Sequence, residues 1–133
     1  MGKTQKETFV ISNTTRTVPP FSGLLCERIK NAVLGKNYDL SVAFIGEKLS
    51  RTLNRTYRHK DKPTDILSFP LSKNEGEIFI NPNRAKIEAR KFGRSYKNFL
   101  LFLLIHGFCH LKGMTHGSRM ESIERKFRNK FKV

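Results

Sequence analysis

The sequence predicts an α/β fold, a small four-stranded mixed sheet packed with helices. Three observations point to it. Short apolar stretches of strand length alternate with longer stretches whose apolar residues recur at helical spacing. Two strand-like stretches follow one another across the turn-like Ser72–Gly76, which places one antiparallel edge strand in an otherwise β-α-β order. Residues 97–112 are apolar on every side between 99 and 105, the pattern of a buried central helix.

Taken in order, Thr8-Phe9-Val10-Ile11 reads as a first strand. Residues 21–34 carry Phe21, Leu25, Ile29 and Ala32/Val33 at helical spacing, and Gly35 is a stop signal. Leu40, Val42 and Phe44 alternate as a second strand. From Glu47 to Arg58, Leu49, Leu53 and Tyr57 share one face, which predicts a helix resting on an apolar stripe. Residues 58–63 lack periodicity and end in Pro63, so they read as a loop. Ile66 to Pro70 is a third strand, put at an edge or an end by its proline, and Ile78–Ile80 is a fourth. Asn81-Pro82 is an N-cap followed by proline at the first helical position. The helix behind it is expected to turn Ala85, Ala89, Phe92 and Tyr96 inward, with Arg84, Arg90, Lys91, Arg94 and Lys97 elsewhere. After the helix at 97–112, Ser118-Arg119-Met120-Glu121 has the form of a capping box. Met120, Ile123, Phe127 and Phe131 mark the last helix. With no repeat or low-complexity segment, residues 1–133 are expected to form a single domain.

Composition narrows the function. The chain has 133 residues, 38% apolar and 28% charged, ordinary for a soluble globular protein and too apolar for a disordered one. The longest apolar run, Phe99 to Ile105, is too short to span a bilayer. The N-terminal residues lack the apolar segment of a signal peptide. Two cysteines do not make a disulfide framework. A reducing cytoplasm and no membrane association are the expectation. Lys plus Arg number 26 against 11 acidic residues, a net charge of +15. A fold gains nothing from such self-repulsion, so a polyanionic partner is expected: RNA, DNA or an anionic surface.

The chemistry concentrates in one segment. Of four histidines, His106, His110 and His116 fall between residues 106 and 116. His106 and His110 are i and i+4, so on a helix their rings leave the same face. Gly113 is placed to end that helix in a left-handed conformation, letting the chain double back with His116. Three converging imidazoles make a metal site with an open position, the catalytic rather than the structural arrangement for zinc. Copper, nickel and iron also suit imidazole. The spacing His-x3-His-x2-Gly-x2-His is that of metzincin proteases, but Gly107 stands where those proteases carry a glutamate base. That argues for hydrolysis of something other than a peptide. Cys109 is turned away from the histidine face and reads as a small core residue, and His59 reads as a solvated loop residue.

Residues 54–70 form a second constellation in which a basic loop feeds a strand. Together the two segments closely resemble the YbeY family of bacterial rRNA maturation factors. The shared residues are Asn54, Tyr57, Arg58, Asp61, Pro63 to Asp65, Leu67 to Pro70, Gly76 and Ile78, followed by His106, Gly107, His110, Leu111, Gly113 and His116. The resemblance runs from about residue 40 to the C-terminus. It implies an α/β sandwich with a metal cleft in which His106, His110 and His116 bind one zinc ion per chain. It implies that Arg58 is a key functional residue of a metal-dependent, single-strand-specific endoribonuclease. It further implies action in 16S rRNA 3′-end maturation and ribosome quality control, in the cytoplasm, with the rRNA precursor, the small ribosomal subunit and its proteins as partners. Three residues depart from the pattern: Met114-Thr115 replaces Tyr-Asp, Cys109 replaces an apolar Leu, and Glu77 replaces Asp.

On this reading RNA lies along the basic surface of 84–97 and 58–62, bound with little sequence preference. The metal polarises a phosphoryl oxygen or lowers the pKa of a water, and Arg58 holds the phosphate. Lys60 or Lys62 is a candidate second cation. Asp65 and Glu77 are the candidate bases, although a structural role suits both, and water and the 2′-hydroxyl both remain open as nucleophile. Two rival classes stand beside it: a non-catalytic ribosome-associated RNA-binding factor with a structural metal, and a metalloprotease.

Overall fold

The computed structural model describes residues 8–133. Nine elements follow in the expected order: β1 (Phe9–Asn13), α1 (Gly23–Val33), β2 (Asp39–Phe44), α2 (Glu47–Arg58), β3 (Ile66–Ser72), β4 (Glu75–Ile80), α3 (Pro82–Lys91), α4 (Tyr96–Leu111) and α5 (Ser118–Phe131). The strands form one mixed sheet in the order β1-β2-β4-β3. β1 and β4 each run parallel to β2, and β3 returns antiparallel on β4. The proline-containing β3 is an edge strand, where a missing N–H costs no ladder bond.

Alternation in the strands sends Leu40, Val42 and Phe44 of β2, with Ile78 and Ile80 of β4, into the core. α4 covers them. Phe99, Leu100, Leu104, Ile105 and Phe108 are buried on several sides of this helix, because it lies against β3, α1, α3 and α5 at once. Only Phe102 of the all-round apolar stretch keeps partial exposure. Burying each such side chain contributes about 1.5–3 kcal/mol.

The helix and sheet approach closely at one point. A Cβ added to Gly107 would lie 2.9 Å from Ser68 Oγ and 3.1 Å from Cδ1 of both Ile66 and Ile78. The place where the protease pattern carries its glutamate is therefore taken up by β3 and β4, and Gly107 is a packing residue.

Three local expectations are corrected. In α2 the stripe of Leu49, Leu53 and Tyr57 is not the buried face: Leu49 and Tyr57 are exposed, while Ser50 and Asn54 are buried. The reason is a polar clasp. Ser50 Oγ donates to the Thr64 carbonyl (2.9 Å) and accepts from the Thr64 amide (3.0 Å), and Asn54 Nδ2 donates to the Lys62 carbonyl (2.8 Å). In α3, Ala85 and Ala89 are buried as expected, but the helix ends at Lys91, so Phe92 escapes its inner face and is 65% exposed. At α5 no capping box forms. Gly117 is the N-cap, with φ 156° and ψ 178°, backbone that glycine alone adopts readily. Ser118 is already helical, and Glu121 pairs with Arg125 at 3.2 Å.

Candidate metal centre and cleft

α4 carries His106 and His110 one turn apart. Its end is shaped by Gly113, whose φ of +94° permits the reversal. The Met114 amide then donates to the Cys109 carbonyl (3.1 Å). This turn returns His116 to the other two. Ligand atoms of His106, His110 and His116 lie within 4.8 Å of one another, and no other residue joins the group among the described residues.

The outer nitrogens of two rings are occupied. His106 Nδ1 lies 2.7 Å from Oε1 of Glu124 on α5. His110 Nδ1 lies 3.2 Å from the Met114 carbonyl. A carbonyl only accepts, so His110 carries its proton on Nδ1 and turns a bare Nε2 inward. Burial first, and then the neighbouring His106, hold His110 below the usual imidazole range, which favours that neutral form. A carboxylate on His106 Nδ1 sets the same tautomer there. Yet the two Nε2 atoms face each other at 3.1 Å. A gap of that size is bridged by one shared proton or by a cation. Tetrahedral zinc, with nitrogen bonds of about 2.0–2.1 Å, holds its ligand nitrogens about 3.3–3.4 Å apart. The three histidines could hold such an ion.

Glu124 escaped the sequence reading. Its signal was position: it sits one turn beyond Met120 on the inner face of α5, where a charged residue needs a partner. Glu124→Ala is expected to weaken metal binding about 10–100-fold. Competition with a chromogenic chelator checks this.

The histidines form one wall of a cleft of about 640 Å³. Arg58 stands on the same cleft, at the end of α2 where His59 turns the chain with φ +59°. Asp65 also lines it and is the one carboxylate that does, among the described residues. Burial raises the Asp65 carboxyl above the usual carboxylate range, against the pull of the Ile66 amide. Lys60, Lys62 and Glu77 do not line it. Cys109 is fully buried, and burial pushes its thiol up to about 11, so it is an inert core residue. Thr115 is exposed, and the polar partners of His106 and His110 come from Glu124 and Met114 instead.

The fold and this site define an α/β protein whose cleft joins a three-imidazole cluster to an arginine. A family model described as Endoribonuclease YbeY matches residues 3–132, and the chain belongs to the YbeY family. Relatives named Endoribonuclease YbeY agree. One from Aquifex aeolicus is 41% identical over 98 residues, covering 69% of this chain and 65% of that protein. One from Halalkalibacterium halodurans is 37% identical over 100 residues, covering 63% of each. These two alignments span less than two thirds of the relatives' own length. One from Geobacter metallireducens is 34% identical over 134 residues, covering 86% and 89%. Among solved structures, the solution structure of a protein from Thermotoga maritima has a TM-score of 0.61 at 27% identity, over 90% of this chain and 85% of that one.

Proposed function

We propose that this protein is a single-strand-specific endoribonuclease that cuts the phosphodiester backbone with the help of one transition metal ion, zinc first among the candidates. The observation that carries the reading is the shared cleft: three imidazoles whose ligand atoms converge, and Arg58 on the same concave surface. His106, His110 and His116 would hold the metal, which when bound supplies Lewis-acid polarisation to the reaction. Arg58 presents a fork of N–H donors suited to two phosphoryl oxygens and to the charge that grows on them. Asp65, kept from full solvation, is the group best placed to take a proton from the attacking hydroxyl or water. With a net charge of +15, the surface attracts the rest of the strand without reading its sequence.

Family membership supports the biological setting we propose: 16S rRNA 3′-end maturation and ribosome quality control, in the cytoplasm, on the small subunit with its proteins. Residues 1–133 would act there as one domain. No helix among the described residues is long and apolar enough to cross a membrane. The binding-factor alternative, with a purely structural metal, suits the cluster less well. Structural zinc is closed by four protein ligands, and this group has three, opening on a cleft.

The test offers the metal-loaded protein two forms of one RNA carrying the precursor 16S 3′ end, one unpaired and one annealed to a complement. Cutting of the unpaired form alone is expected. Equal cutting of both contradicts single-strand specificity, and cutting of neither moves the protein to the binding-factor class.

A further inference from the structure

Three phenyl rings follow one another along the cleft, the middle one buried. Phe92 and Phe99 are stacked, 5.6 Å between centroids with planes 17° apart, and Phe99 and Phe102 follow at 5.9 Å and 18°. Phe99 is buried at 1% exposure, yet Phe92 is 65% exposed. All three line the cleft that holds the histidines and Arg58. Phe92 thus offers an exposed ring whose orientation is set by a buried neighbour.

Its surroundings say what fits. Arg94 and Arg128 place their guanidinium carbons 4.5 and 5.4 Å from the centroid of Phe102. Arg94 also donates to Asn98 Oδ1, which fixes its direction. Phe102 also lines a neighbouring depression of about 540 Å³, shared with His106, His116, Arg128 and two carboxylates, Glu121 and Glu124, which are paired with Arg125 and His106. An apolar flat surface flanked by two cations beside a phosphate-handling centre is complementary to a group that is flat at one end and anionic at the other. An unpaired nucleotide is such a group. A base inside a duplex presents no free face to Phe92.

We infer that Phe92, backed by Phe99 and Phe102, is a stacking platform for an unpaired base of the strand whose backbone is cut, with Arg94 and Arg128 holding the flanking phosphates. The inference rests on the endoribonuclease reading and supplies a physical source for its strand selectivity. Stacking accepts every base, so it adds affinity for single strands without adding sequence preference.

The experiment is equilibrium binding of the full chain to a fluorescent unstructured oligoribonucleotide, and to the same oligonucleotide with abasic sites. The wild type is expected to prefer the base-bearing strand. Phe92→Ala should weaken that binding about tenfold and remove the preference, and Phe92→Tyr should restore both. The loss should be equal at low and high salt, since stacking releases no counterions. Phe92 lies at the surface, and equal melting temperatures confirm that the variant folds. Unchanged affinity of Phe92→Ala overturns the platform and leaves the ring to a protein partner. Equal wild-type binding of abasic and base-bearing strands, or no binding of single strands at all, overturns it too. A failed nuclease reading looks different: Phe92-dependent binding with no cutting. A failed platform with a sound nuclease shows cutting indifferent to Phe92.

Discussion

Arg58→Ala is expected to lower RNA cleavage about 10²–10³-fold while leaving metal binding and folding intact. Three features set this outcome. Arg58 is exposed at the end of α2, and removing an exposed side chain shifts stability by no more than about 0.5 kcal/mol. It is not in the histidine group, so the metal ligands keep their places. Arg58 nevertheless lines the cleft, where the proposed phosphoryl displacement would develop charge. Because the interaction strengthens toward the transition state, kcat should fall more than KM rises. Arg58→Lys should recover only part of the loss, since an ammonium cannot make the two-pronged contact. Steady-state kinetics on a short unpaired RNA check this. An Arg58→Ala variant within threefold of wild type would remove the residue from the reaction.

His110→Ala is expected to abolish metal binding and cleavage together. His110 sits half-buried between His106 and His116, and its ring closes the cluster from α4. Removing it leaves two imidazoles, too few to hold a catalytic transition metal against solvent. The surrounding core does not depend on the ring: Phe108, Cys109 and Leu111 are buried on the other sides of the helix. The variant should therefore fold and bind RNA. Thermal unfolding separates the effects. Metal at a hundredfold excess over its dissociation constant should stabilise the wild type by about 2.7 kcal/mol and leave His110→Ala unmoved. A variant stabilised as much as the wild type would show that the ion binds elsewhere.

The sequence announced most of this site because its parts are local. The i, i+4 histidine pair, Gly113 at the reversal and the Asn81-Pro82 helix start are all short-range signals, and each appears in the fold. What stayed hidden depends on distant contacts. Ser50 and Asn54 look like surface residues until the loop at 62–64 folds back on them. Glu124 looks like one more solvated charge until α5 packs against α4 and brings it to His106. The capping-box pattern at Ser118 was overruled because Gly117 provides an extended backbone that joins His116 directly to α5. Phe92 kept the spacing of a core residue, but its helix ended one residue too soon to turn it inward. Gly107 gave an ambiguous signal: the missing protease base was legible, whereas the packing against Ser68 that excludes a side chain there was not.

RNA cutting is expected to depend on an ion held by His106, His110 and His116. The most direct measurement strips the wild type with a chelator and returns zinc in steps, following cleavage of an unpaired RNA at each addition, with His110→Ala carried in parallel. Cleavage should vanish on stripping, return in proportion to zinc, level off at one ion per chain, and never appear in the variant. Full cutting by the stripped protein, or equal cutting by His110→Ala, would contradict it.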